Sequence, residues 1–347
     1  MKTEFIKIID PDEPLSRQWL KKAADIIRHG GLVVMPTETV YGLGGNGLDG
    51  EAAKKIYAAK GRPADNPLIL HVEKPEDAEL YCYTPPLYFE LAKAFMPGPL
   101  TVIMPKKEIV PFSVTAGLST VAVRCPENKI ANALIREAGV PIAAPSANLS
   151  GKPSPTNAFY VMEDMDGRVD MVIDGGECDI GLESTIVMIR DDGSLLLLRP
   201  GAVTYDALCM VCDKVKIADA VLEMLKENEK PLSPGMKYKH YAPTTPLVLL
   251  DGEESNVHKF LISETKEKKC AVLCYDEEKE LLKNAELLPI GKKDDLSTHA
   301  HTLFTALRDA DKKGCEVIYA HLPPKSGLGL ALYNRMIRAA AHAIKKV

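Results

Sequence analysis

The stretch LVVMPTETVYGLGGNG, residues 32–47, decides how this chain is read. LVVMP has the length and apolar character of a buried strand and stops at Pro36. Thr37, Glu38 and Thr39 follow at once. Hydroxyls and a carboxylate at a strand's carboxyl end sit where open α/β sheets bind ligands; capping of a turn by the two threonines is the plainer alternative. Gly42-Leu43-Gly44-Gly45-Asn46-Gly47 then matches G-x-G-x-x-G formally. No strand ending in an acidic residue follows about 20 residues on, and that stretch carries Lys60-Gly61-Arg62 instead. The expectation is therefore a tight glycine turn that lets the backbone approach something other than a dinucleotide.

Working outward, SRQWLKKAADIIRH (16–29) has helical periodicity, with Ser16 as N-cap and Gly30-Gly31 as the stop. Helices are predicted again at 50–60, in PLYFELAKAF and in NKIANALIREAG. Strands are predicted in LILHV, LTVIMP, VAVRCP, PIAAPSAN, MVIDGG, STIVMI and LLLLRPG. Short, Pro-bounded strands alternating with helices imply a twisted mixed α/β sheet with flanking helices rather than an eightfold barrel. AVLEMLKENEKP reads as a polar helix that closes a first domain, 1–230. Residues 231–246, rich in Pro, Lys and Tyr, read as a linker or functional loop. From 247 to 347 strands and helices alternate regularly up to a closing helix at 329–347. That pattern predicts a small Rossmann-like βαβ domain with a parallel sheet.

At roughly 150 residues per domain, the 347-residue length agrees with two domains. Lys plus Arg number 43 against 48 Asp plus Glu, a net charge of −5, which excludes a polycation that coats nucleic acid or membranes. No apolar run approaches the roughly 20 residues of a spanning helix. The acidic opening MKTEFIKIIDPDEP leads us to expect no secretory leader. The eight irregularly spaced cysteines read as free thiols in a reducing cytoplasm. Cys209 and Cys212 lack a second metal-binding pair, and His299 and His301 fall on different faces of a helix, so no protein-bound metal is expected. P-loop, zincin and nucleophile-elbow motifs are absent, and no covalent nucleophile is evident.

The chemistry-bearing residues are polar groups set in apolar or turn-rich contexts. Lys60 and Arg62 lie in a Gly/Pro loop where both can converge on one anion. Arg124 ends the apolar strand VAVR, so it needs a partner or a ligand. Small residues around Ser146 and Asn148 let a planar or phosphate-bearing ligand reach the backbone. Asp174, Glu183-Ser184-Thr185 and Arg199 complete the set. Several cations without a nucleophile suit catalysis by positioning and charge neutralisation on a polyphosphate.

PTETVYGLG (36–44), K-x-R (60–62), NPLILHV (66–72), PGPLTVIM (97–104), VAVRCP (121–126), APSANLSG (144–151), ESTIV (183–187) and LLRPGAV (197–203) together resemble the YrdC-type threonylcarbamoyl-AMP synthases. SPGMKYKHYAP (233–243) and the trailing domain resemble that family's two-domain branch. The resemblance implies a YrdC-like sheet and a reaction. L-threonine, bicarbonate and ATP give threonylcarbamoyl-adenylate and pyrophosphate, the first step toward N6-threonylcarbamoyladenosine at position 37 of tRNA. A downstream tRNA threonylcarbamoyl transferase would take the product. By the same matching, Lys60 and Arg62 are catalytic. Thr39, His71, Arg124, Ala144 and Ser184 would hold threonine. Arg62, Asn66, Thr120, Ser146, Asn148, Ser154 and Arg199 would hold ATP, with Tyr241 or Tyr238 closing over it from a lid at 233–243. Mg²⁺ would arrive mainly on the ATP phosphates.

Three readings compete. Net acidity and scarce aromatics near the cations leave room for weak RNA contact at most, against a nucleic-acid module. A hydrogenase-maturation carbamoyltransferase would add an acylphosphatase domain and zinc-finger cysteines, which this sequence lacks. A nicotinamide oxidoreductase rests on the glycine motif alone.

Overall fold

The computed structural model describes residues 2–223 and 240–347, in two compact units. Tyr238, most of the expected lid and most of the expected polar helix lie outside the described residues. Of that helix only a 3₁₀ turn, Asp219–Val221, and the two residues after it are described.

The first unit opens with β1 (Glu4–Lys7), α1 (Pro14–Arg28), β2 (Val33–Met35), β3 (Gly42–Asn46) and α2 (Gly50–Lys60). It continues through β4 (Ile69–His71), α3 (Ala78–Tyr81), α4 (Pro86–Phe95), β5 (Leu100–Pro105), β6 (Thr120–Arg124) and α5 (Lys129–Ala138). Last come β7 (Ile142–Ala143), α6 (Ala158–Met165), β8 (Met171–Asp174), β9 (Thr185–Ile189), β10 (Leu195–Arg199), α7 (Tyr205–Cys209) and β11 (Val215–Ile217). The strands form one mixed sheet in the order β1-β8-β2-β3-β7-β4-β6-β5-β9-β10-β11.

One face packs Val34, Leu43, Leu70, Val102 and Val123 against α2, α4 and α6. On the other face, Val33, Met35 and Met171 pack against α1 and α5. Beside them Ile69, Ile103, Ala122, Ile186, Leu196 and Leu198 form a smaller apolar patch. Among the described residues no helix is long and apolar enough to cross a membrane.

The mixed sheet and its flanking helices stand where the sequence pattern puts them, with four corrections. The glycine-rich stretch is not a turn but strand β3, antiparallel to β2 and β7. Its glycines are there because neighbours crowd it. A Cβ on Gly44 would sit 2.8 Å from Ile142, and one on Gly47, just past the strand's end, would sit 2.5 Å from Leu70 and 2.8 Å from the Pro141 carbonyl. The first helix begins at Pro14, whose fixed φ suits the first turn, and Ser16 is buried inside it instead of capping it. PIAAPSAN pairs as a strand only at Ile142–Ala143. Finally, β1 and β11 add parallel edges to β8 and β10 in segments too short to show a period.

The second unit takes the described chain from residue 240 together with Gly151–Ser154 and Ile180–Leu182. Its elements are β12 (Leu247–Asp251), α8 (Glu254–Glu267), β13 (Cys270–Cys274), β14 (Glu286–Pro289), α9 (Leu296–Lys312), β15 (Val317–His321), α10 (Gly327–Ala339) and β16 (Ile344–Lys346). The sheet is parallel throughout, in the order β14-β13-β15-β12-β16. The closing helix is shorter than expected. Ala341 and His342 take left-handed φ values of 48° and 63°, which no helix continues, and the chain then pairs as β16 with β12.

Replacing Gly47 with alanine should lower stability by about 1–3 kcal/mol, because the Pro141 carbonyl has nowhere to move. Urea unfolding of Gly47→Ala measures this, and an unchanged midpoint would show that the end of β3 has room.

Candidate active site

Strands β4 and β6 run parallel, and the candidate residues gather at their two ends. At the carboxyl ends, one row crosses the sheet in register: Ile142, His71, Arg124, Thr101, Ile186 and Arg199. Directly opposed residues share a face, so this row carries its polar side chains on the side of the small apolar patch. A register shift between Leu197 and Arg199 brings Arg199 opposite Ile186.

The row is knitted by hydrogen bonds. Thr101 Oγ1 and Ser184 Oγ lie 2.7 Å apart. Arg199 donates to Ser184 through Nε to its carbonyl (3.0 Å) and through Nη2 to its hydroxyl (3.1 Å). Arg124 donates through Nε to the Gly98 carbonyl at 3.3 Å and through Nη2 to Glu38 at 2.7 Å.

Glu38 and Arg124 are each only 4% exposed, so this ion pair is buried. Burial opposes ionisation of Glu38, yet the Arg124 charge and hydrogen bond outweigh it and hold the carboxyl below its usual 4.5. Glu38 Oε2 has no hydrogen-bond partner among the described residues. His71 has its pKa pushed down to about 3, first by burial and then by the Arg124 charge, and is a neutral imidazole at physiological pH. One ring nitrogen, Nδ1, is 3.1 Å from the Ile69 carbonyl.

The other ends of β4 and β6 hold the second group. Lys60 ends α2 and is 4% exposed. Its ammonium donates to the carbonyls of Ser146 and Asn148 and to Asn148 Oδ1. Ser146 Oγ in turn donates to Asn148 Oδ1 at 2.6 Å. Gly61 takes the left-handed C-cap, which turns Arg62 off the helix and over the Tyr57 ring. Arg62 Nη2 donates to the Asn66 carbonyl at 2.7 Å. Asn66 is fully buried, and neither its Oδ1 nor its Nδ2 has a partner among the described residues. Thr120 opens β6, four residues from Arg124 and on the same face.

The loop from Pro36 to Tyr41 belongs to both groups. It joins Met35 to Gly42, which bridges Ser146, while Glu38 within it reaches Arg124. Thr37 Oγ1 lies 2.9 Å from Thr39 Oγ1 and donates to the Val40 carbonyl at 2.6 Å, fixing the turn. Tyr41 hydroxyl donates to the Gly176 carbonyl at 2.6 Å, which ties in the turn after Asp174. Ala144 is buried, and its N–H donates to the Ile69 carbonyl.

Two proposed ligand residues lie in the second unit. Ser154 is in its Gly151–Ser154 segment, and Tyr241, with φ of 62°, stacks on Phe304 at 5.3 Å. Glu38 and Thr101 have structural roles in the site that residue patterns did not assign. A charged Arg124 closing an apolar strand signalled that a partner or ligand was needed, but not that Glu38 was the partner.

Comparisons with known proteins identify the family. A family model described as "Telomere recombination" matches residues 25–201, and one described as "Threonylcarbamoyl-AMP synthase, C-terminal domain" matches residues 203–341. The chain is 44% identical to the threonylcarbamoyl-AMP synthase of Pyrococcus abyssi, covering 98% of this chain and 99% of that one. It is 43% identical to the Bacillus subtilis threonylcarbamoyl-AMP synthase, covering 98% of each. The chain belongs to the threonylcarbamoyl-AMP synthase family. A crystal structure of P. abyssi Sua5 complexed with L-threonine matches with a TM-score of 0.90 at 43% identity, over 99% of this chain and all of that one. In this family member, the dinucleotide reading of the glycine motif lapses, because β3 buries those glycines inside a sheet.

Two predictions follow from the electrostatics. Glu38→Gln strands a buried guanidinium and should cost about 3–5 kcal/mol, read from urea unfolding at neutral pH; a loss below 1 kcal/mol would show that Arg124 is rehydrated. His71 has its native pKa below the unfolded value of 6.5, so the unfolded chain binds the extra proton. Stability should fall as pH drops from 6.5 toward 3, by at most about 1.4 kcal/mol per pH unit from this group. His71→Gln should flatten that slope, and an unaltered slope would assign it elsewhere.

Proposed function

We propose that this chain condenses L-threonine, bicarbonate and ATP into threonylcarbamoyl-adenylate and pyrophosphate, for a separate transferase that modifies tRNA. The observation that carries the reading is the two-ended arrangement along β4 and β6. A buried arginine with a neutral histidine and hydroxyls lies at one end, and a Lys/Arg/Asn/Ser cluster lies at the other. Thr120 and Arg124 stand four strand positions apart, about 13 Å, a span suited to an amino acid at one end and a nucleotide extending to the other. The L-threonine complex of the P. abyssi relative supports the choice of amino acid.

On this reading Arg124 binds the threonine carboxylate. Two of its five N–H groups have partners among the described residues, and the others are available for a ligand. Thr39, Ser184 and the backbone at Ala144 position the rest of the substrate. With its pKa of about 3, His71 is a poor base near neutrality and serves to orient threonine.

Threonine nitrogen and bicarbonate condense to a carbamate with loss of water. A carbamate oxygen then attacks the α-phosphorus of ATP; the new P–O bond forms as the bond to the bridging oxygen of pyrophosphate breaks. Arg62, Asn66, Thr120, Ser146 and Asn148 hold the nucleotide; Arg199, which the resemblance puts with them, stands in the carboxyl-end row beside Ser184. Lys60 already satisfies three acceptors around Ser146, so it shapes the 146–148 turn and reaches a phosphate only by exchanging one of them.

The donor set here fits Mg²⁺ carried by the phosphates. Glu38 is committed to Arg124, and neutral oxygens such as Ser146 Oγ and Asn66 Oδ1 supply at most a small part of an octahedral shell. When bound, the ion neutralises charge on the departing pyrophosphate. A cytoplasmic setting suits the eight free thiols and the ATP and tRNA chemistry.

Purified protein should release pyrophosphate from ATP and Mg²⁺ only when threonine and bicarbonate are both present; no release with all four would overturn the proposal. Arg62→Ala should lower turnover by about 10²-fold or more, with a melting temperature close to that of the parent. Activity within a few-fold of the parent would remove Arg62 from the phosphate site.

A further inference from the structure

The second unit holds a cluster that the proposed reaction does not use. His258 Nε2 and His321 Nε2 each lie 2.7 Å from the same carboxylate oxygen, Glu278 Oε1, and the three ligand atoms all fall within 4.8 Å of one another. His258 projects from α8, Glu278 ends the 3₁₀ turn Asp276–Glu278 after β13, and His321 is the last residue of β15. No sequence motif announces the set, because its members are 20 and 43 residues apart.

Three features distinguish it from a chance surface group. The Glu278 side chain is 2% exposed, and among the described residues its salt-bridge partners are the two histidines, with no lysine or arginine. A buried carboxylate in that setting calls for a compensating cation. Its orientation is also set in advance. Glu278 Oε2 accepts the Tyr275 backbone N–H at 2.8 Å, which leaves Oε1 to face both imidazoles, and the Tyr275 ring stacks on His321 at 4.7 Å. Outer contacts of this kind orient metal ligands.

The third feature is topological. The connection leaving β13 runs to β14 on one side of the sheet, and the connection leaving β15 runs to β16 on the other. These neighbouring strands therefore form a switch point, and open parallel sheets bind ligands in the crevice at the carboxyl ends of such strands. Glu278 lies on the segment that leaves β13 and His321 ends β15, while His258 reaches them from α8.

We propose that His258, Glu278 and His321 bind one divalent transition-metal ion of the zinc type, with a fourth position open to water or a ligand. Two imidazoles and a carboxylate are the donor set that Zn²⁺ takes in sites of this kind. Glu254 lies nearby, 4.0 Å from His258 Nε2, but pairs with Lys293 at 2.7 Å and is left out of the ligand set.

The test uses the full-length chain, stripped with a chelator and free of ATP. Equilibrium dialysis against Zn²⁺ should give one ion per chain. Co²⁺ should give a visible d–d band without thiolate charge-transfer absorption. The double variant His258→Gln/His321→Gln should weaken binding by more than about 100-fold, beyond the cost of losing an outer-shell partner. His301→Gln, outside the set, should bind as the parent does. As a measurement that needs no variant, Zn²⁺ titration followed by imidazole NMR should move the ring signals of two of the eight histidines. Absence of stoichiometric binding, thiolate bands with Co²⁺, or binding undiminished in the double variant would each overturn the site. Pyrophosphate release by the first unit is a separate readout, so failure here leaves the proposed reaction standing.

Discussion

The buried pair between Glu38 and Arg124 is the constraint on which the rest of the site depends. Arg124 closes an interior strand, where a guanidinium cannot stay without a counter-charge. Glu38 lies on the loop that connects β2 to β3, and that loop runs into Gly42, which bridges Ser146 at the opposite end of the site. One ion pair therefore ties the loop to the sheet, and the loop spans both candidate half-sites. Such a pair is weak evidence for net stability, because desolvation offsets its attraction. Its value lies in specifying where the loop sits.

The same charge governs its neighbours. His71 stands opposite Arg124 in register, so burial and a nearby cation both press it toward the neutral form. Arg199, drawn in by a strand irregularity, is anchored to Ser184, which shares a contact with Thr101. A row of six strands thus sets the spacing of four functional groups through backbone pairing alone. That explains how a site can be built for positioning: the sheet ladder, rather than flexible loops, fixes the separations.

Much of this was legible in the sequence, and the exceptions have physical causes. Arg124 could be singled out because a charge in the run VAVR breaks the apolar pattern. Lys60 and Arg62 stood out by their Gly/Pro surroundings, and the structure does bring them to Ser146 and Asn66. The pairing of Arg124 with Glu38 was not legible, since it joins residues 86 positions apart. Edge strands of three or four residues, such as β1, β11 and β14, were missed because they are too short to display alternation. The end of the last helix was missed because its alanines favour helix, while left-handed Ala341 and His342 and pairing with β12 override that preference.

The glycine-rich segment shows most clearly why a motif needs its structural context. Glycines serve close backbone approach to a ligand, but they serve close approach of protein to protein equally well, and the sequence is the same in both cases. In this chain β3 lies between β2 and β7, with Ile142, Ile56, Leu32 and Leu70 pressed where side chains would otherwise stand. The closeness bears on function indirectly. With no side chains at these glycines of β3, Ala144 and Ile142 pack over Gly42 and Gly44, and Gly42 bridges Ser146, the residue whose carbonyl holds Lys60. The glycines thus act on the site through packing, and the half-site around Ser146 depends on residues that touch no ligand in the proposed reaction.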